Sequence, residues 1–297
     1  MPSFGQQFKL GPLDGDLARV QQALMQELTG RSRFHDEVTS HLAVAGGKML
    51  RPILTLFGAY AGQRGPALEP APAAAIAAAA AIEALHLSTL YHDDVMDEAQ
   101  LRRGVPSVNA RWGNTVAVIG GDILLASAFR LGITSGAAEV ALLAGTLDGL
   151  CTGQANELSS LYDPDRDETA YESSIAGKTA ALMAASLRVG GLAATIDPAD
   201  LDRLTVAGHE LGMAFQLIDD LLDLLGSTSA TGKPSGADIS EGVYTLPVIL
   251  ELHTNARLRG LLGSPPSPAE AEEARQLVIA GRGPSVAAQR AREHVGR

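Results

Sequence analysis

Two stretches of this chain place three aspartates within five residues and surround them with apolar side chains. One is HDDVMD at 92–97, preceded by LHLSTLY; the other is IDDLLD at 218–223, preceded by MAFQL. Residues four apart share a helix face, so Asp93 lines up with Asp97 and Asp219 with Asp223. Asp94 and Asp220 lie one position along. Like charges on one helical turn repel, and a solvated acidic face does not sit among leucines on a core helix. Hard divalent cations reverse that argument, because Mg²⁺ prefers carboxylate and phosphate oxygens and keeps several waters. One such motif alone reads as an acidic surface. Two of them in apolar surroundings ask for two helices whose acidic faces oppose each other across a cavity, holding Mg²⁺ around a diphosphate.

The rest of the chain is patterned for helix. Leu17, Val20, Leu24 and Leu28 recur at helical spacing, as do Leu201, Leu204, Leu211 and Ile218. Long helices are predicted over 73–97, 115–135, 137–161, 168–190 and 198–225. Asp197 before Pro198 reads as an N-cap followed by an N1 proline. Ser267, Pro268 and Glu270 read as a capping box. No strand, hairpin or short repeat stands out. The rings (6 Phe, 5 Tyr, 1 Trp) are few, and a core of Ala and Leu suits close-packed helices. Loops are expected at 61–72, 162–167, 226–237 and 263–267. None has the composition of a linker, so residues 1–297 are expected to form a single all-α domain of about a dozen helices.

Lysine plus arginine total 23 against 34 aspartate plus glutamate, a net charge of −11, which argues against broad nucleic-acid binding. The lone Cys151 allows no intramolecular disulfide, in keeping with a reducing cytoplasm. MPSFGQQFKLGPLDGD has no signal-peptide core. The longest apolar run, 73–85, is alanine-dominated and contains Glu83, so no uncharged run is expected to span a bilayer. A soluble, cytoplasmic protein is expected.

An anion held by metal also needs cations from the protein. Lys48 and Arg51 lie in GGKMLRP at a turn opening a helix, where free N–H groups and the helix dipole favour anions. Arg102 and Arg103 follow the first aspartate cluster. Lys178 sits among alanines in AGKTAALM, where an unpaired buried ammonium would be costly. Lys233 lies in the Gly-rich TGKPSG. His86 is two turns before Asp93 on the same face, and Gln216 one turn before Asp220.

In order, GGKMLRP, HDDVMDEAQLRRG, GKTAAL, FQLIDDLLDL and GKPSGADISEGVYTLP resemble the motifs of trans-polyprenyl diphosphate synthases, over roughly 40–250. The resemblance implies an all-α isoprenoid-synthase fold, a bundle of helices around a deep central cavity, usually as a homodimer. It implies Mg²⁺-dependent, head-to-tail addition of isopentenyl diphosphate to an allylic diphosphate. Carried over, Asp93, Asp94, Asp97 and Asp219 look like ligands, direct or through water, of three Mg²⁺ ions, with Asp220 and Asp223 completing the second motif. Arg102, Lys178 with Thr179, Lys233 and Gln216 look like the allylic site. Lys48, Arg51, His86 and Arg103 look like the isopentenyl diphosphate site. Two departures stand out: Gly242 is followed by Val243 where many members have lysine, and the chain stops at EHVGR where relatives usually continue through further helices. The C-terminal helices are therefore expected to be incomplete.

In that family the allylic C–O bond ionises, positioning does much of the work, and water is kept out. The departed diphosphate is thought to take the final proton. Bulky aromatics just before the first motif stop chain growth early. Here Ser88 and Thr89 are small, as are Ala84 and Ala81 further down, which predicts a long product, C30 to C50. The alternatives are a C20 or C25 synthase and a non-catalytic regulatory subunit. Terpene cyclases and head-to-head synthases need no isopentenyl site, so GGKMLRP and the arginine pair argue against them.

Overall fold

A computed structural model of the protein describes residues 4–8, 10–65, 67–226 and 236–297. These form sixteen α-helices, one π-helical turn and one short hairpin, divided between two compact units. The first unit is Met1–Leu147 with Ala185–Thr205; the second is Asp148–Ala184 with Val206–Arg297.

The helices in chain order are α1 Phe4–Phe8, α2 Leu13–Leu28, α3 Arg33–Val44, α4 Leu50–Tyr60, α5 Ala73–Met96, α6 Val108–Trp112, α7 Asn114–Ser135 and α8 Ala137–Ser159. Then come α9 Glu168–Ile175, the π turn Ala176–Ala180, α10 Ala181–Ala193 and α11 Pro198–Leu225. The last five are α12 Ala237–Glu241, α13 Leu246–Leu252, α14 Ala256–Leu261, α15 Pro268–Ala280 and α16 Gly283–Gly296. Strands β1 Leu101–Arg102 and β2 Val105–Pro106 pair antiparallel.

In the first unit, the alanines of α5 are there to let α7 come close. Ala78 to Ala81 and Ala84 are fully buried, and α7 answers with Ala117, Gly120, Gly121 and Ala128. A Cβ on Gly121 would lie 2.3 Å from Nε2 of His92, and one on Gly120 would lie 3.2 Å from the ring of Tyr91. Larger residues there would displace the last turns of α5, which carry Asp93 and Asp94. Helix α4 is held in the same way: a Cβ on Gly58 would lie 2.0 Å from the carbonyl oxygen of Leu187, and one on Gly190 1.8 Å from that of Thr55.

The second unit buries Tyr171, Leu217, Leu221, Tyr244, Leu246, Ile249, Ala274 and Val278 in one core. Each large apolar side chain so buried contributes about 1.5–3 kcal/mol. Gly212 of α11 packs against Ala180 and Gly208 against Ala184, where a Cβ would come within 2.4 and 2.6 Å of backbone. This close packing fixes the rotation of α11 and hence the direction of its aspartates.

Helix 73–97 is observed as Ala73–Met96 and 198–225 as Pro198–Leu225. Asp197 caps α11 through Ala199 N–H at 2.9 Å, and Ser267 and Glu270 form the capping box. Two expectations are corrected. The continuous helix over 168–190 is interrupted by the π turn at AGKTA. A hairpin occurs at 101–106, turning on Arg103 (φ 53°) and Gly104 (φ 78°). A type I′ hairpin loop needs positive φ at both central positions, as here, and Arg-Gly signals this far less clearly than Asn-Gly. By length and composition α5 and α7 could each cross a membrane, but neither is uncharged: Glu83 interrupts α5 and Asp122 interrupts α7. Helix α5 is mostly buried, as core helices are.

Candidate active site

In the first unit, α5 ends in the aspartate cluster. Asp93 is half-buried, and Asp97, the C-cap, is exposed and donates its N–H to the Asp93 carbonyl at 2.8 Å. Asp94 is fully buried. Its Oδ1 accepts from Arg102 Nε at 2.7 Å and from Nη2 at 2.6 Å. The hairpin thus brings Arg102 back onto the middle aspartate.

One turn of α4 and two of α5 build a basic cluster. Met49 takes a left-handed conformation (φ 48°) and starts α4 so that Arg51 falls in its first turn, with Lys48 exposed just before it. Arg51 Nη1 donates to His86 Nε2 at 3.0 Å. Arg103 Nη1 donates to the Leu42 carbonyl at 2.9 Å, and its Nη2 lies 3.5 Å from Glu83 Oε1. Gly47 makes room for this guanidinium, since a Cβ there would lie 2.9 Å from Arg103 Cζ. Burial pulls Arg51 down to about 10, with Glu83 opposing the shift and Arg103 adding to it. Burial, then Arg51, Arg103 and Arg102, hold His86 well below its usual value, so the imidazole is neutral and its Nε2 accepts. Glu83 is pushed up by burial, against the pull of Arg103 and Arg51. In the sequence Glu83 stands out only as a charge breaking an apolar run. The available signal was an acid among alanines, three residues before His86 on one face.

In the second unit, Asp219 is exposed and Asp223 half-buried, its Oδ2 accepting from Asp238 N–H at 3.3 Å. Asp220 is 5% exposed. Its Oδ2 accepts from the Tyr171 hydroxyl at 2.6 Å and its Oδ1 from Gln216 Nε2 at 2.8 Å. Gln216 Oε1 in turn accepts from Thr179 Oγ1 at 2.7 Å. Lys178, on the π turn, pairs with Glu157 at 2.5 Å and is partly exposed, so its ammonium avoids the cost of unpaired burial among the alanines. Gly153 and Gly177 permit this, because a Cβ on Gly153 would lie 2.6 Å from the Lys178 nitrogen of the backbone. Arg166 is buried, donating to the Tyr244 carbonyl at 3.1 Å and to Ser174 Oγ at 2.9 Å. Burial, above all, raises Asp220 to about 6; burial and then Asp223 and Asp220 raise Asp238 to about 8.

The six aspartates therefore sort into two kinds. The middle one of each cluster is buried and bonded to the protein, whereas the outer pair is exposed or half-buried. Among the described residues no three His, Cys, Asp or Glu side chains converge on one point. Pairs of carboxylates suit Mg²⁺, which is typically bound by one or two carboxylates plus substrate phosphates and waters. Lys233 lies outside the described residues. Nothing in the sequence marks Tyr171, Glu157, Arg166 or Asp238, because their partners are distant in sequence and no periodicity picks them out.

Residues 32–278 match the family model described as polyprenyl synthetase. The chain is 41% identical over 272 residues to the nonaprenyl diphosphate synthase of Mycobacterium tuberculosis, covering 90% of this chain and 80% of that protein. It is 37% identical to heptaprenyl diphosphate synthase component 2 of Geobacillus stearothermophilus, covering 81% and 73%. A crystal structure of the Caulobacter crescentus polyprenyl synthase, complexed with calcium and isoprenyl diphosphate, superposes with a TM-score of 0.87 at 32% identity, covering 95% of this chain and 87% of that one. The chain belongs to the polyprenyl synthetase family. It has the all-α isoprenoid-synthase fold and is a prenyltransferase.

Proposed function

We propose that the protein extends an allylic diphosphate with isopentenyl diphosphate, in trans and head to tail, to a long-chain C30–C50 polyprenyl diphosphate. The observation that carries this reading is the basic cluster of Arg51, Arg103 and neutral His86. Its guanidinium groups bond to His86, Glu83 and the Leu42 carbonyl rather than to the aspartates, and an enzyme that only ionises one diphosphate has no use for a second such cluster. Lys48, Arg51, His86 and Arg103 hold isopentenyl diphosphate. Arg102, Lys178, Thr179, Gln216 and Lys233 serve the allylic diphosphate.

Asp93, Asp97, Asp219 and Asp223 would hold Mg²⁺, three ions with substrate bound, while Asp94 and Asp220 orient their neighbours. Bound Mg²⁺ supplies charge neutralisation at the leaving diphosphate. The allylic C–O bond breaks, the isopentenyl double bond forms the new C–C bond, and the proton lost from that junction goes to the departed diphosphate. Residues 1–297 act as one catalytic domain, in a cytoplasmic homodimer. The Geobacillus relative, named a component, favours a second reading in which the chain works with a different subunit.

Ser88, Ala84 and Ala81 are buried, so Ser88→Phe would test packing before product length. Thr89 shares the accessible face of His86 and Asp93, its Oγ1 donating to the His86 carbonyl at 2.9 Å. Thr89→Phe is expected to shorten the product. The test is incubation of the purified protein with isopentenyl diphosphate, Mg²⁺ and C10, C15 or C20 allylic diphosphates, with products weighed by mass spectrometry. A ladder ending at C30 or beyond supports the reading. An end at C20 or C25 sinks the chain length, and no elongation by folded protein points to a partner-dependent subunit.

A further inference from the structure

Glu83 is the one acid set into the fully buried alanine stretch of α5, between Ile82 and Ala84, and it is only 3% exposed. Space alone would be filled by leucine or alanine at lower cost, because a buried carboxylate loses its hydration. What compensates is position. The carboxylate reaches Arg103 at 3.5 Å, and Arg51 feels its charge. The two guanidinium groups repel one another, and each is needed at a fixed place if a diphosphate is to meet both. Among the described residues Arg103 is otherwise held by the Leu42 carbonyl and by the space left at Gly47.

We propose that Glu83 is a positioning residue of the isopentenyl diphosphate subsite, holding Arg103 directly and steadying Arg51 through its charge. This rests on the assignment of that subsite above. Glu83 touches no reacting atom; it acts through the arginines, as a counter-ion that keeps two like charges side by side until the substrate arrives. A counter-ion with no positioning role predicts the opposite sign: its removal leaves the pocket more positive and tightens anion binding.

The test compares wild type with Glu83→Gln and Glu83→Asp in steady-state kinetics, and measures binding of isopentenyl diphosphate calorimetrically. Glu83→Gln is expected to raise KM for isopentenyl diphosphate by about tenfold, with kcat and the allylic KM within about twofold. With Arg103→Gln also present, Glu83→Gln is expected to add little, since the two act as a unit. Unchanged or tighter isopentenyl diphosphate binding in Glu83→Gln overturns the proposal. If Glu83→Gln does not fold, Glu83→Asp decides: it keeps the charge but withdraws it from Arg103, so weaker binding supports positioning and unchanged binding overturns it. Wild type that binds isopentenyl diphosphate more tightly than the variant, yet elongates nothing, keeps this inference while the condensation fails. Wild type that binds none overturns both.

Discussion

The two aspartate clusters have the same spacing, yet they neutralise their buried middle carboxylate in different ways. Asp94 meets a cation, Arg102, through two nitrogens at 2.7 and 2.6 Å. Among the described residues Asp220 meets neutral donors, Tyr171 at 2.6 Å and Gln216 at 2.8 Å. An ion pair balances charge in place but leaves a costly remnant if either partner is removed. Neutral hydrogen bonds leave the charge unbalanced, and burial raises Asp220 to about 6. In the first cluster the middle carboxylate is ion-paired in place, whereas in the second it is linked through Gln216 and Thr179 to the turn that carries Lys178. A shared motif thus conceals two electrostatic designs.

The outer aspartates of both clusters are exposed or half-buried. Asp93→Asn and Asp219→Asn are each expected to lower kcat by about 10²–10³, the usual cost of losing one charge-stabilising contact. A variant of either cluster that kept full turnover would break the symmetry assumed for metal binding. The middle aspartates should then differ. Asp94→Asn strips Arg102 of its counter-charge and is expected to cost about 3 kcal/mol, read as a fall in melting temperature. Asp220→Asn is expected to cost about 1 kcal/mol or less, because the amide oxygen still accepts a hydrogen bond. Equal costs would show that the neutral network is as demanding as the ion pair. Tyr171→Phe is expected to cost a comparable amount, about 1 kcal/mol, and to raise the allylic KM a few-fold by loosening Gln216.

The smallest effect is one of pH. Asp238 rises from an ordinary 3.8 to about 8 in the fold, so folding favours its protonated form. The stability it contributes is complete below about pH 4 and is lost as pH climbs through 8. Without divalent cation, wild type is expected to melt lower at pH 9 than at pH 6. Asp238→Asn, which cannot ionise, lacks that part of the decline; parallel profiles would place the acidic strain elsewhere in the second unit.

Much of this architecture was legible in the residues. The long helices at 73–97 and 198–225, the caps at Asp197 and Ser267, and the faces carrying Asp93 and Asp219 follow from periodicity and local chemistry. The hairpin was not legible, because it depends on Arg103 accepting a left-handed conformation that Glu83 and Leu42 help to hold. Nor was the π turn, whose place is set by the close approach of Gly153 and Gly177. The six aspartates looked equivalent because helix spacing reports which residues share a face, not which of them the fold buries.

The sequence by itself determined where the helices run, which faces carry acid and base, and the family these motifs define, since each depends on neighbours a few residues away. The tertiary structure alone decided the partners: Arg51 with His86 across 35 positions, Tyr171 with Asp220 across 49, Arg103 with Glu83 across 20. The physical reason is desolvation. A charge taken out of water must be met by whatever donor or counter-ion the packing brings to it, and no local rule states which distant side chain that is.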